Sequence, residues 1–251
     1  MQTNYFCKTQ IVDVLEKPNK NSNISSQIIY GEKFKILSKN KNFYKVKTYY
    51  DNYIGYINKK TKKNNKFKPS HKIKVLRSRI YTGKYKQKKR TSKRWLAFNS
   101  KLQIIKKEKN LIMFEKNKWV KINDISLIIT KEKNFIKIFK LFINCPYKWG
   151  GGTFEGIDCS ALIQNFYKYN NEFFPRDTVE QIKKKGGIKN KNSFKKGDII
   201  FWKGHVAICI NSKNLIHAYG PEKKVIIMPI RSTIKRIEKS ANLKVKKVFR
   251  I

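Results

Sequence analysis

"YKWGGGTFEGIDCSALI", residues 147–163, decides how this chain reads. A run of glycines leads into an Asp-Cys-Ser triplet, and an apolar run at helical spacing follows at once. Asp is a strong helix N-cap, so the triplet predicts a helix over about 159–169 with Cys159 in its first turn. A thiol placed there lies among backbone N–H groups that no intrahelical bond uses. The positive end of the helix dipole is expected to lower its pKa. The same N–H groups can hold an oxyanion during acyl transfer. Gly150, Gly151, Gly152 and Gly156 let backbone and substrate come close. A buried structural cysteine is the alternative at this position.

The histidines bear on that choice. The chain has three, His71, His205 and His217. His205 opens the strand-like run "HVAICI", and His217 sits in the next, "LIHAY". Side chains on paired strands share a face only in certain registers, here one with an odd number of loop residues or with a bulge. In such a register His205 can act as general base to Cys159 while His217 orients it. Taken singly, each histidine also reads as a satisfied core or surface residue, and that reading is kept for His71.

Around this centre the second half predicts helices first and strands afterwards. Phe135, Ile136, Phe139, Phe142 and Ile143 recur at helical spacing, giving a helix over about 131–144 that Pro146 stops. A shorter helix starts at Asp177, with Glu180 at its third position, and ends at the glycines 186–187. Strands follow at 198–202, 205–210, 215–219, 225–229 and 244–250, with a further helix over 231–241. This order is that of an α+β fold with an antiparallel sheet.

The first half reads as short strands, among them 27–30, 34–37, 44–48 and 53–57. "GEKFKILSKNKNFYKVK" (31–47) is loosely echoed by "NSKLQIIKKEKNLIMFEKNKWVKI" (99–122), which suggests two small β-barrels of one kind. The polar stretch 59–70 has the composition of a linker between them.

The net charge of +43 raises a nucleic-acid reading at once. Against it, the positive residues are mostly Lys, whereas Arg suits bidentate phosphate contacts better. They are spread along the whole chain, and Asn and Ile are also abundant, the pattern of codon drift in an AT-rich genome. Most of the charge is therefore read as solvated surface, with a residual field that attracts anionic substrates. The opening residues lack the pattern of a signal peptide and no apolar run reaches membrane-spanning length, so a cytoplasmic location is expected. There Cys7, Cys145, Cys159 and Cys209 stay reduced. Their spacing matches no zinc pattern, so no metal site is expected.

The segments "PYKWGGGTFEGIDCSALI", "FPRDTVEQ", "GDIIFWKGHVAICI" and "LIHAYG" together resemble the successive motifs of NlpC/P60 cysteine peptidases, a papain-like family that cuts peptidoglycan stem peptides. The resemblance covers about 130–251 with motif order and spacing intact. Ala161 departs from it, standing where the family usually has Gly. It implies a triad of Cys159, His205 and His217, with no cofactor. "IIYGEKFKIL" and "DNYIGYI" resemble bacterial SH3-like domains, implying barrels over 8–66 and 71–128 ahead of a catalytic domain over 130–251.

This combination is similar to cytosolic recycling enzymes of the dipeptidyl-peptidase VI group. The likeness implies cleavage of the γ-D-glutamyl–diamino acid bond in an anionic muropeptide with a free N-terminal L-Ala. It places Tyr147, Asp158 and Ser160 around the free amine, with Glu32 and Tyr53 of the first barrel closing the pocket. Each has a plainer alternative. Asp158 can simply cap the helix, Ser160 can be an ordinary first-turn residue, and Tyr147 can pack beside Trp149. Glu32 can be a solvated turn residue and Tyr53 a core aromatic. Arg176 and Gln181 match the family's "PR…Q" segment, and neither is given a catalytic role.

Two rival functions remain open on the sequence. One is an amidase or acyltransferase of the same fold acting on another amide. The other is a polyanion- or nucleic-acid-binding protein, although no RNA-recognition motif is present. Neither a nucleic-acid nor a membrane partner is required, and nothing in the sequence sets an oligomeric state.

Overall fold

A computed structural model describes residues 4–84, 86–183 and 193–251. The chain divides into two compact units, Met1–Lys131 and Glu132–Ile251.

The described residues of the first unit are built from strands. Seven form one antiparallel sheet: β1 (Asn4–Cys7), β2 (Ile11–Leu15), β3 (Ile24–Ile29), β4 (Lys33–Asn40), β5 (Phe43–Thr48), β6 (Ile54–Asn58) and β7 (Lys63–Asn64). Their order is β3-β2-β6-β5-β4-β1-β7. Alternate side chains of these strands, including Cys7, Val12, Val14, Ile28, Phe34, Val46 and Ile57, turn inward to one core. That alternation is what a half-buried strand requires.

Eight more strands follow: β8 (His71–Ile73), β9 (Arg77–Thr82), β10 (Arg90–Ala97), β11 (Lys101–Leu102), β12 (Lys106–Glu108), β13 (Leu111–Glu115), β14 (Lys118–Lys121) and β15 (Ile125–Leu127). They make a five-stranded sheet, β10-β9-β14-β13-β12, and a three-stranded one, β11-β8-β15. The sequence echo appears as hairpins with a lysine at positive φ in the turn, Lys41 between β4 and β5 and Lys109 between β12 and β13. His71 lies on β8, with its Nδ1 2.9 Å from Ser70 Oγ.

The stretch 59–70 is not the free linker its composition suggests. β7 pairs with β1 inside it, and Phe67 is buried with Tyr30 against the core of the later strands. One aromatic side chain in a polar run ties the segment down. Gly31, at φ +78°, allows the backbones to approach here: a Cβ on it would lie 2.1 Å from the carbonyl oxygen of Lys101.

The second unit packs helices on a five-stranded antiparallel sheet. Its elements are α1 (Phe135–Leu141), β16 (Gly152–Thr153), β17 (Gly156–Ile157), α2 (Cys159–Tyr169), α3 (Thr178–Gln181), β18 (Asp198–Trp202), β19 (His205–Cys209), β20 (Asn214–Tyr219), β21 (Lys224–Pro229), α4 (Ile230–Ala241) and β22 (Lys247–Arg250). The sheet order is β21-β20-β19-β18-β22. Nearly every side chain of α2 is buried, and Phe166 packs against Phe135 and Phe139 of α1.

α1 is shorter than its apolar spacing predicts. Asn134 caps it by accepting from the N–H of Ile136. Beyond its end, the Asn144 N–H donates to the carbonyl of Val225, drawing the chain to the sheet edge. The last strand starts at Lys247 rather than at 244. Asp177 stands at the N-cap position of α3, but its side chain does not make the capping bond. The expected helix end at 186–187 lies outside the described residues.

Candidate active site

Asp158 caps α2, accepting at Oδ1 from the N–H of Ala161 at 2.8 Å. This fixes Cys159 as the first residue of the helix. The first intrahelical bond runs from Leu162 N–H to the Asp158 carbonyl, so the N–H of Cys159 lies ahead of it at the open helix end. The glycine-rich approach folds tightly beneath. Gly150, at φ +71°, directs its N–H to Asp158 Oδ2 at 3.0 Å. A Cβ on Gly151 would lie 2.4 Å from the carbonyl oxygen of Gly156, a distance no side chain tolerates.

The sheet brings the histidines to this helix start. β18 turns into β19 through Lys203 and Gly204, with Trp202 opposite His205. Cys159 Sγ lies 4.0 Å from the Gly204 carbonyl oxygen, and the N–H groups of Val206 and Ser160 favour its thiolate. The sulfur thus sits against the backbone on both sides of His205.

β19 and β20 pair with Ile208 opposite Ile216 and Cys209 opposite Leu215. His205 is three residues from Ile208 and His217 is one from Ile216. Both steps are odd, so the two histidines share a face, the register with an odd loop count. His205 Nε2 lies 2.9 Å from His217 Nδ1. The ring of Tyr219 stacks on that of His217 at 4.6 Å between centroids. His217 Nε2 lies 3.3 Å from Met228 Sδ.

Burial sets the resting charge state. It pushes the Cys159 thiol up to about 12, with the Asp158 carboxylate adding to the rise and the Val206, Arg176 and Ser160 groups opposing it. Burial lowers His205 to about 4. It lowers His217 to about 2, helped by His205 and Arg236. The helix start does favour the thiolate, as the sequence leads one to expect, but desolvation outweighs it. At neutral pH the site therefore holds a neutral thiol beside two neutral imidazoles.

Asp158 caps α2, as its plainer reading has it, and its carboxylate is held by further partners within the protein. Arg176 clamps it through Nη1 to Oδ1 at 3.0 Å and Nη2 to Oδ2 at 2.6 Å. Ser160 Oγ donates to Oδ1 at 2.9 Å and accepts from Arg176 Nη1 at 2.8 Å. Gln181 completes the cluster, its Nε2 donating to the Ser160 carbonyl at 3.0 Å.

Arg176, given no catalytic role on the sequence, is the clamp of this cluster. The available signal was an arginine kept in a chain where Lys dominates, as a bidentate carboxylate clamp requires. Tyr147 stands close by, its phenol pushed up to about 12 by burial and by the neighbouring Cys159 and Asp158. Glu32 and Tyr53 belong to the first unit. There Glu32 Oε2 accepts from the Ile29 N–H at 2.9 Å and Tyr53 packs against the core of the first sheet.

A thiol at a helix start, beside a histidine pair on an antiparallel sheet, defines a papain-like α+β arrangement. The chain superposes on the crystal structure of an NlpC/P60 family protein from Bacillus cereus with a TM-score of 0.83, covering 98% of this chain and 99% of that one at 20% identity. That likeness establishes the fold. The sequence profile of the NlpC/P60 family matches residues 144–240, and that of the bacterial dipeptidyl-peptidase SH3 domain matches residues 14–61. The chain thus carries an NlpC/P60 domain preceded by a bacterial SH3 domain.

Among curated proteins it is 36% identical over 101 residues to the γ-D-glutamyl-L-lysine dipeptidyl-peptidase of Bacillus cereus, covering 37% of this chain and 30% of that protein. It is 31% identical over 101 residues to the Bacillus subtilis protein of the same name, covering 37% of this chain and 34% of that protein.

Proposed function

We propose that this protein is a cysteine peptidase that hydrolyses the γ-D-glutamyl–diamino acid bond of free peptidoglycan stem peptides, with Cys159, His205 and His217 as its triad. The carrying observation is the line of contacts from Cys159, through the backbone around His205, to His217 on the neighbouring strand. The names of the two Bacillus relatives support the choice of bond.

Cys159 Sγ attacks the γ-carbonyl of D-Glu as His205 takes the thiol proton on Nδ1. The N–H of Cys159 holds the oxyanion at the helix start. His205 then returns its proton to the leaving amine of the diamino acid, and a thioester remains on Cys159. Water, deprotonated by His205, cleaves the thioester, releases L-Ala-D-Glu and restores the thiol.

Tyr147 and Ser160 line the side of the site toward the substrate's amino end. Asp158 binds the free amine beside them, and its contacts with Arg176 and Ser160 hold its carboxylate in place. Glu32 and Tyr53 help to recognise the free amine, an assignment that rests on the family resemblance alone. The domain division 8–66, 71–128 and 130–251 belongs to the same reading. So does a role in murein peptide recycling in the cytoplasm, a setting suited to four cysteines held as thiols.

The test is to incubate the purified protein with L-Ala-γ-D-Glu-meso-diaminopimelate and with its N-acetylated form. Release of L-Ala-D-Glu from the free-amine peptide alone is expected. Equal cleavage of both would remove the amine requirement, and cleavage of neither would transfer the site to another amide.

A further inference from the structure

The histidine pair can serve Cys159 only if its protons are arranged one way. A neutral imidazole has one N–H and one bare nitrogen, and the contact made by one nitrogen sets the state of the other. His205 presents Nε2 to His217 Nδ1, which leaves Nδ1 as its nitrogen for the thiol. If His217 carried its proton on Nδ1, it would donate to His205 Nε2. The His205 proton would then sit on Nδ1, facing Cys159, and no base would exist.

The group that decides lies on the far side of His217. Its Nε2 is 3.3 Å from the thioether sulfur of Met228. A thioether accepts weakly and has no proton to give. That contact is favourable only when His217 Nε2 carries the hydrogen. Met228 projects from β21, whose register sets Leu215 opposite Met228 and His217 opposite Ile226. It is therefore the diagonal neighbour of His217 across the strand pair, within reach of a long side chain.

We propose that Met228 is a positioning residue that fixes the tautomer of His217, and through it the bare Nδ1 of His205. The proton relay then has one direction. Met228 Sδ accepts from His217 Nε2–H, His217 Nδ1 accepts from His205 Nε2–H, and His205 Nδ1 is open to the Cys159 proton. When His205 becomes an imidazolium, its Nε2–H still donates to the same acceptor, so the relay supports the charged state without rearrangement. The inference rests on the proposed triad but reaches a residue outside it.

The test reads the resting protein. Since the chain has three histidines, a long-range 1H–15N spectrum of the full chain with 15N-labelled histidine resolves each ring. The assignments come from substituting the histidines one at a time. Near pH 7, His217 and His205 are both expected as Nε2–H tautomers.

Met228→Leu keeps the bulk and removes the acceptor. It is expected to give His217 a mixture of tautomers and to lower kcat roughly five- to tenfold at unchanged KM, the size of one lost hydrogen bond. Met228→Glu supplies an acceptor and is expected to keep the Nε2–H form. Met228→Lys supplies a donor and is expected to move the His217 proton to Nδ1 and abolish turnover. A merely structural role would make Glu and Lys equally harmful and leave the tautomers alone. An Nδ1–H tautomer for His217 in the unsubstituted protein, or a Leu variant with unchanged tautomers and kcat, would overturn the proposal. Because the spectrum needs no substrate, failure to cleave the stem peptide would count against the proposed reaction and leave this test standing.

Discussion

Arg176 grips both carboxylate oxygens of Asp158 in a pair that is almost fully buried, with 4% and 8% of the two side chains exposed. The same carboxylate caps α2 and receives the Gly150 N–H, so one interaction ties the helix start to the glycine-rich turn. Removing one partner leaves an uncompensated buried charge, which typically costs about 3–5 kcal/mol. Arg176→Met is expected to lose about that much stability in urea unfolding and to lose activity with it. A loss under about 1 kcal/mol would mean that the pair is not a structural anchor.

The lowered histidines make stability depend on pH in one direction. Both fold in as neutral rings, at about 4 for His205 and about 2 for His217, while an unfolded chain protonates them near the ordinary value of 6.5. Below 6.5 the unfolded state binds more protons than the folded one, so stability falls as pH falls and continues to fall through pH 4. The urea midpoint of the wild type should decline from pH 7 to pH 4, and that of His217→Gln should decline less. Equal slopes would contradict the burial of a neutral His217. On the same ground the acid limb of kcat/KM should lie near pH 4, where His205 ceases to be a base.

Cys159 should be slow to react in the resting protein. Burial holds its thiol at about 12, well above an ordinary cysteine. At neutral pH its alkylation by iodoacetamide should trail that of a free thiol by roughly a hundredfold or more, and should still be climbing above pH 9. Peptide mapping separates it from Cys7, Cys145 and Cys209. Fast labelling at pH 7 would instead indicate a thiolate paired with a charged His205.

Gly151 has no room for a side chain. A Cβ there would meet only backbone, the Gly156 carbonyl at 2.4 Å and the Lys148 carbonyl oxygen at 2.9 Å. Gly151→Ala must therefore move the turn that carries Asp158 and Cys159. A displacement of that kind should lower kcat roughly 10- to 100-fold while the chain still folds. A fully active variant would show that the turn's shape does not position the nucleophile.

The site was legible where its cause is local. Both ends of α2 follow from the Asp-Cys-Ser cap and the apolar run after it, whereas parity gave only the registers in which His205 and His217 share a face, and the strand pairing supplies one of them. Four of the strand readings over 198–229 fall within a residue of the observed ends, because each is a continuous apolar or alternating run between turn residues.

What stayed hidden depends on packing between distant segments. Arg176 finds Asp158 across 18 residues of sequence, and the Met228 contact arises only once β20 and β21 have paired. The thiol shift was missed for the same reason, since a helix dipole can be read from a cap but the depth of burial cannot. Phe67 is the case where a signal was present and composition masked it, one aromatic within a run of Lys and Asn.

The most direct test of the account is the rate of L-Ala-D-Glu release from L-Ala-γ-D-Glu-meso-diaminopimelate by the intact chain and by its Cys159→Ala variant, compared at equal, verified folding. Ready release by the wild type and none above background from the variant are expected. Release by the variant at the wild-type rate, or none by either protein, would contradict it.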